Sequence, residues 1–150
     1  MEENLIKIKE ILEELLKIMD FSGVVIFDDK EEDFLRINIE SNEAGYLIGH
    51  NGENLRALQQ ISRALVSKKI EIPPRFIIDV NNYQKSRLNL LQEMAQNLAR
   101  EVVARQSPQW LNPMNSYERR VIHLALKDIK GIKTESEGEG ESRRVIIKPI

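Results

Sequence analysis

The chain contains no cysteine. Disulfides and Cys-ligated zinc are therefore excluded, and no thiol is available as a nucleophile. No apolar run approaches the roughly 18–20 residues needed to cross a bilayer. The start, Met1-Glu2-Glu3-Asn4-Leu5, is acidic and amphipathic, unlike the basic opening of a secretory signal. These absences lead to the expectation of a cytoplasmic protein without membrane insertion. There is also no Walker-type phosphate loop and no cluster of metal-ligating residues, so no catalytic residue, metal or cofactor is expected. Aromatic residues make up only 5% of the chain and glycines number 7, so two glycines three apart stand out.

At 150 residues the chain can form one medium domain or two small ones. Its net charge of −2 conceals an asymmetry. Residues 1–40 hold 5 Lys/Arg against 12 Asp/Glu, a net of −7, and residues 41–150 hold 17 against 12, a net of +5. Contact with phosphate is local, so a basic patch outweighs the overall sign. Binding of this kind is modest and salt-sensitive.

Leu5, Ile8, Ile11, Leu12, Leu15, Leu16 and Met19 recur at helical spacing over residues 3–19. Residues 23–27 are β-rich. Leu35, Ile37 and Ile39 alternate with Arg36, Asn38 and Glu40 as in a half-buried strand, and a charged turn over 28–33 joins the two. A short helix near 43–48, a glycine turn, a helix over 52–67 and a strand over 75–80 complete the order α-β-β-α-α-β. Asn81 or Asn82 then caps a long helix reaching Arg105, and Pro108 ends it. Residues 110–114 form a connector, 116–130 a further helix, and 132–136 with 143–148 a hairpin. The expected fold class is α+β, with one domain over 1–82 and a second, small α/β domain over 83–150.

The glycine turn, Ile48-Gly49-His50-Asn51-Gly52, is the first candidate site. Glycine lets a backbone approach a partner closely, and the free N–H groups of the following helix favour phosphate. On that helix Leu55, Leu58, Ile61 and Leu65 form the expected buried stripe. Arg56, Gln60 and Arg63 fall on another side, roughly in line with Gly52. Solvated helix positions are the plain alternative for the two arginines; the adjoining glycine turn favours a role for them. Ile48 and Leu55 would offer an apolar groove to bases.

The second candidate lies near the C-terminus. Asn115 and Glu118 fit a capping box, which fixes the register of the helix they begin. Ser116, Arg119, Arg120, His123, Lys127 and Lys130 then share an arc of roughly 100°. Tyr117, Val121, Ile122, Leu124, Ala125, Leu126 and Ile129 take the apolar side. Arg119 and His123, one turn apart, can address one phosphate or base, and Arg143 and Arg144 would extend the basic face. Tyr46, Tyr117 and Trp110 can stack on bases, although Trp110 is expected to wedge the two helices of the second domain together. Glu135, Glu137, Glu139 and Glu141 read as a solvated hairpin tip. An acid–base pair of His123 with Glu118 fails, because the cap uses Glu118.

These segments resemble the bacterial Jag family (SpoIIIJ-associated proteins, also called KhpB or EloR). The resemblance runs through Gly45-Tyr46-Leu47-Ile48-Gly49 to Leu58-Gln59, and through Tyr83 to Arg87. It is clearest at Pro113-Met114-Asn115-Ser116-Tyr117-Glu118-Arg119-Arg120-Val121-Ile122-His123, and continues at Thr134-Glu135-Ser136-Glu137-Gly138 and Arg143-Arg144-Val145-Ile146. It implies a type II KH domain, whose GxxG loop clamps a single strand, followed by a domain named for an Arg-x-x-x-His motif. The implied activity is non-enzymatic binding of single-stranded RNA, or single-stranded DNA, in post-transcriptional control linked to cell elongation and division. Pairing with a single-KH protein, or as a homodimer, is implied as well. By position, Gly49, His50, Asn51 and Gly52 would be the clamp, and Arg119 with His123 the second site.

Two departures stand out. The N-terminal Jag domain of many members has no counterpart in these 150 residues. His50 and Asn51 also occupy loop positions where relatives often carry Arg or Lys, which should weaken phosphate contacts. The alternative expectation is a protein-interaction module whose KH surface pairs with another KH protein, RNA being incidental.

Overall fold

The computed structural model describes residues 1–28 and 34–150. Residues 29–33 of the expected charged turn lie outside them. The chain divides into two compact units, Met1–Gln84 and Lys85–Ile150.

In the first unit, α1 (Glu2–Ile18) carries Glu2 and Glu3 in its first turn and Lys17 in its last, each sign favourable to the helix dipole. Its buried face is Ile8, Ile11, Leu12 and Leu16. Strand β1 (Val24–Phe27) pairs antiparallel with β2 (Leu35–Glu40). Helices α2 (Ala44–Ile48) and α3 (Glu53–Lys69) carry the chain over to β3 (Phe76–Val80), which lies parallel to β2. Val25, Ile37, Ile39, Ile78 and Val80 join the α1 and α3 stripes in one core.

Two expectations for this unit are corrected. Strand β2 is buried on both faces rather than one. Arg36 Nη1 lies 3.4 Å from Asp79 Oδ2, and Asn38 Oδ1 accepts the Asn82 N–H at 3.0 Å. Polar residues stay buried there because they find polar partners. On α3 the buried line is Leu55, Leu58, Ser62 and Val66, whereas Ile61 is 47% exposed. Ile61 sits about 120° round the helix from Leu55, so the apolar spacing pointed to a stripe that the packing does not use.

The start of α4 (Tyr83–Arg105) differs as well. Asp79 Oδ1 accepts the Gln84 N–H of its first turn at 2.9 Å. Of the two expected caps, Asn81 instead exchanges two hydrogen bonds with the Ser41 backbone.

In the second unit, α4 packs through Ala95, Ala99 and Val102. Residues 109–110, expected within a connector, form a strand: β4 (Gln109–Trp110) pairs with β6 (Arg144–Pro149), which pairs with β5 (Ile132–Glu137), all antiparallel. Two paired residues leave no alternation to read. Trp110 consequently lies on the sheet, half-exposed, and does not wedge helices. Helix α5 (Ser116–Leu126) buries Glu118, Ile122 and Leu126, leaving Tyr117 and Leu124 exposed. It ends earlier than expected: the Ile129 N–H returns to Leu126 O at 3.1 Å, and Gly131, at φ +89, turns the chain into β5. Lys130 thus lies beyond the helix. Glu135 and Glu137 belong to β5 rather than to the hairpin tip.

Candidate nucleic-acid interface

Gly49 takes φ +71 and ψ −177, a combination open essentially to glycine. A Cβ there would come within 2.6 Å of Asn54 Cγ. Asn54 is held over the glycine by donating from Nδ2 to Tyr46 O at 2.8 Å. Asn51 (φ 52) and Gly52 (φ 76) are left-handed, and they close the turn from which α3 departs. Gly52, the residue before α3, supplies no side-chain cap, and the first helical amide, Glu53 N–H, donates to His50 O of the turn. His50 and Asn51 are exposed at the tip and lie 3.2 Å apart, Nε2 to Nδ2. Arg56 Nη1 reaches Asn51 O at 3.4 Å, and Arg63 is exposed two turns further on.

Ile48 is half-buried beside this loop, but Leu55 has no exposed surface. Leu55 therefore supports the loop from within the core and cannot line a groove for bases.

The capping box of α5 is complete. Asn115 Oδ1 accepts the Glu118 N–H at 2.8 Å, and Glu118 Oε2 accepts the Asn115 N–H at 3.2 Å. The other carboxylate oxygen, Oε1, accepts from Arg87 Nε of α4, so one buried side chain joins both helices. Arg119 Nη1 donates to Met114 O at 2.6 Å, while the Met114 N–H donates to Arg143 O. Met114 thus links the Arg119 side chain to the Arg143 backbone. Arg120 and Lys127 are exposed, Lys127 immediately after the last turn of α5.

His123 is used differently from the expectation. Nδ1 lies 2.7 Å from Thr134 Oγ1 and Nε2 lies 2.9 Å from Ser136 Oγ. Both ring nitrogens are engaged within the protein, tying α5 to β5. Partial burial, followed by the charge of Arg119, lowers the imidazole pKa from its ordinary value. Thr134 and Ser136 lie in a segment of the family resemblance, but no motif spacing tied them to His123; their period-2 placement on a strand facing the helix does.

Arg144 is also displaced from the expected face. It pairs across the sheet with Glu137, whereas Thr134 and Ser136, which meet His123, have the opposite parity. Arg144 therefore lies on the sheet face away from α5. Arg143 donates to Gly138 O at 2.7 Å.

Among the described residues no group of His, Asp or Glu could hold a metal ion, and no helix is long and apolar enough to cross a membrane.

An α-β-β-α-α-β unit with Gly49-x-x-Gly52 between adjacent helices, followed by a unit whose helix carries Arg119-x-x-x-His123, defines a KH domain joined to a domain of the Arg-x-x-x-His type. Residues 7–78 match the KH domain of KhpA/KhpB, and residues 89–149 match the domain family named for the Arg-x-x-x-His motif. The chain thus carries, in order, the two domains of the KhpB proteins, the Jag family of the sequence resemblance. It is 34% identical over 139 residues to "RNA-binding protein KhpB" of Clostridium symbiosum, covering 92% of this chain and 63% of that protein. The protein of the same name from Bacillus subtilis is 32% identical over 128 residues, with 84% of this chain and 61% of the relative covered. The Lactiplantibacillus plantarum protein of that name is 29% identical over 144 residues, with 93% and 44% covered. The chain thus spans less than two thirds of these relatives.

Proposed function

We propose that this chain is a non-enzymatic, cytoplasmic binder of single-stranded RNA that acts in post-transcriptional control linked to cell elongation and division. The observation that carries the reading is the start of α3, without a side-chain cap, directly behind a glycine turn whose tip residues, His50 and Asn51, face solvent. A phosphate at the tip gains from the positive end of the α3 dipole. Arg56 and Arg63 continue the positive potential along α3. In the second unit Arg119, Arg120 and Arg143 supply phosphate contacts, with Lys127 at the edge. His123 sets the position of α5 rather than touching RNA. The relatives' name, RNA-binding protein KhpB, supports this assignment.

The test is filter binding of single-stranded RNA to a His50→Asp/Asn51→Asp variant. Both positions are exposed, and Asp tolerates the left-handed backbone of Asn51. Two negative charges at the tip should weaken binding about tenfold or more. Unchanged affinity removes the loop from the interface.

A second reading, pairing with another KH chain or with a second copy, draws on the weakly basic loop and on the exposed Ile6, Ile18 and Ile61 of α1 and α3. Size-exclusion of the purified chain beside crosslinking and RNA sequencing separates the two readings. A stable protein complex without recovered RNA favours the second.

A further inference from the structure

We infer that the face of the second sheet turned away from α5, centred on Trp110, is a stacking platform for an unpaired base. The inference deepens the RNA reading and rests on it.

In an antiparallel pair, residues opposite each other point to the same face. Trp110 is opposite Ile146, and Ile146 is opposite Glu135. By alternation Lys133, Glu137, Arg144 and Lys148 share that face. His123 engages Thr134 and Ser136 on the other side. The Trp110 face is therefore separate from the Arg119 surface.

The orientation of the indole follows from one hydrogen bond. Trp110 Nε1 donates to Glu137 Oε1 at 2.7 Å. Trp110 stands on one edge strand and Glu137 on the other, with β6 between them. Neighbouring strands are about 4.8 Å apart, so this bond is reached only by a ring lying across β6. Ile146 of β6 is only 3% exposed although it belongs to neither hydrophobic core, whereas Trp110 is 48% exposed. The ring therefore has one side on the sheet and one side open to solvent, held in place before any ligand arrives. A flat, fixed aromatic surface is what stacking on a base requires, with little ordering cost.

The surrounding charges favour a nucleic-acid strand over a cationic peptide. Both carboxylates of the face are occupied: Glu135 by Lys148 at 2.7 Å and Lys133 at 3.7 Å, Glu137 by Arg144 at 3.7 Å. Three cations against two carboxylates leave a positive surplus around the ring for the phosphates flanking a stacked base.

Trp110 is the single tryptophan, so its emission reports on this face alone. The full chain is titrated with labelled single-stranded oligouridylate, following label anisotropy and tryptophan emission together. The expected result is quenching that saturates in parallel with anisotropy and is absent with an abasic ribose-phosphate oligomer of equal length. Trp110→Leu, which keeps apolar cover over Ile146, should weaken binding about fivefold or more, and Trp110→Phe should retain most of it. Rising anisotropy with unchanged emission and an unaffected Trp110→Leu variant overturns the platform and leaves the RNA reading standing. Equal quenching by the abasic oligomer, or quenching by an oligo-arginine peptide but not by RNA, also overturns the platform. No response of either signal to RNA removes both.

Discussion

The His123 imidazole sits between two hydroxyls, with Thr134 Oγ1 2.7 Å from Nδ1 on β5. The histidine of the Arg-x-x-x-His motif is thereby a strut between helix and sheet. Burial and the neighbouring Arg119 lower its pKa in the folded chain. The unfolded chain, with an imidazole near 6.5, then binds its proton first as pH falls. The contribution is complete above that value and is lost as pH drops through the lower folded value. Thermal melts from pH 7.5 to 5 should show a steeper decline for the natural chain than for His123→Gln. Equal slopes would refute the assignment.

At Gly49 a side chain meets both an unfavourable backbone and the Asn54 side chain. Gly49→Ala should destabilise the chain by about 1–3 kcal/mol. Gly45→Ala, in α2 with nothing within 4 Å of the added carbon, should be neutral or slightly stabilising. Chemical denaturation of the pair measures the contrast. The same geometry makes acidic replacement of Gly49 a poor probe of binding, because the loop itself would shift.

The Arg36–Asp79 pair is buried, and Asp79 Oδ1 also accepts from the Val80 and Gln84 N–H groups. Asp79→Ala takes a carboxylate from the buried Arg36 guanidinium and an acceptor from two amides, and should cost about 2–4 kcal/mol. Asp79→Asn keeps an acceptor and should cost less. A larger loss for Asn than for Ala in urea melts would contradict this account.

Under the RNA reading, Arg119→Ala should lower affinity and reduce the slope of log K against log salt by about one. Arg119→Lys, keeping the charge, should restore most of the slope. A lower affinity with an unaltered slope would assign Arg119 to bracing Met114 alone.

Long amphipathic elements were legible in the chain because their periodicity is sampled many times: the residue 3–19 pattern became α1, and the alternation around Ile37 became β2. The capping box at Asn115 and Glu118 was equally readable, since it is a local contact between fixed offsets. What escaped was set by partners distant in sequence. Arg36 and Asn38 looked solvent-facing because Asp79 and Asn82, which permit their burial, are over forty residues away. Ser62 replaced Ile61 on the buried line, and only packing shows this. The motif at Arg119 and His123 was visible, but spacing on one helix says nothing of Thr134 and Ser136, and the imidazole looked free to meet a ligand. The two-residue β4 carried no pattern at all, and with it the placement of Trp110 was lost.

The outer strands of the second sheet are built against recruitment of further strands. β4 contributes two residues between Pro108 and Pro113, too short a margin for another chain to zip onto. β5 presents Lys133, Glu135 and Glu137 along its exposed rim, where charge discourages edge-to-edge growth. Crowded copies of this unit should therefore resist fibre formation.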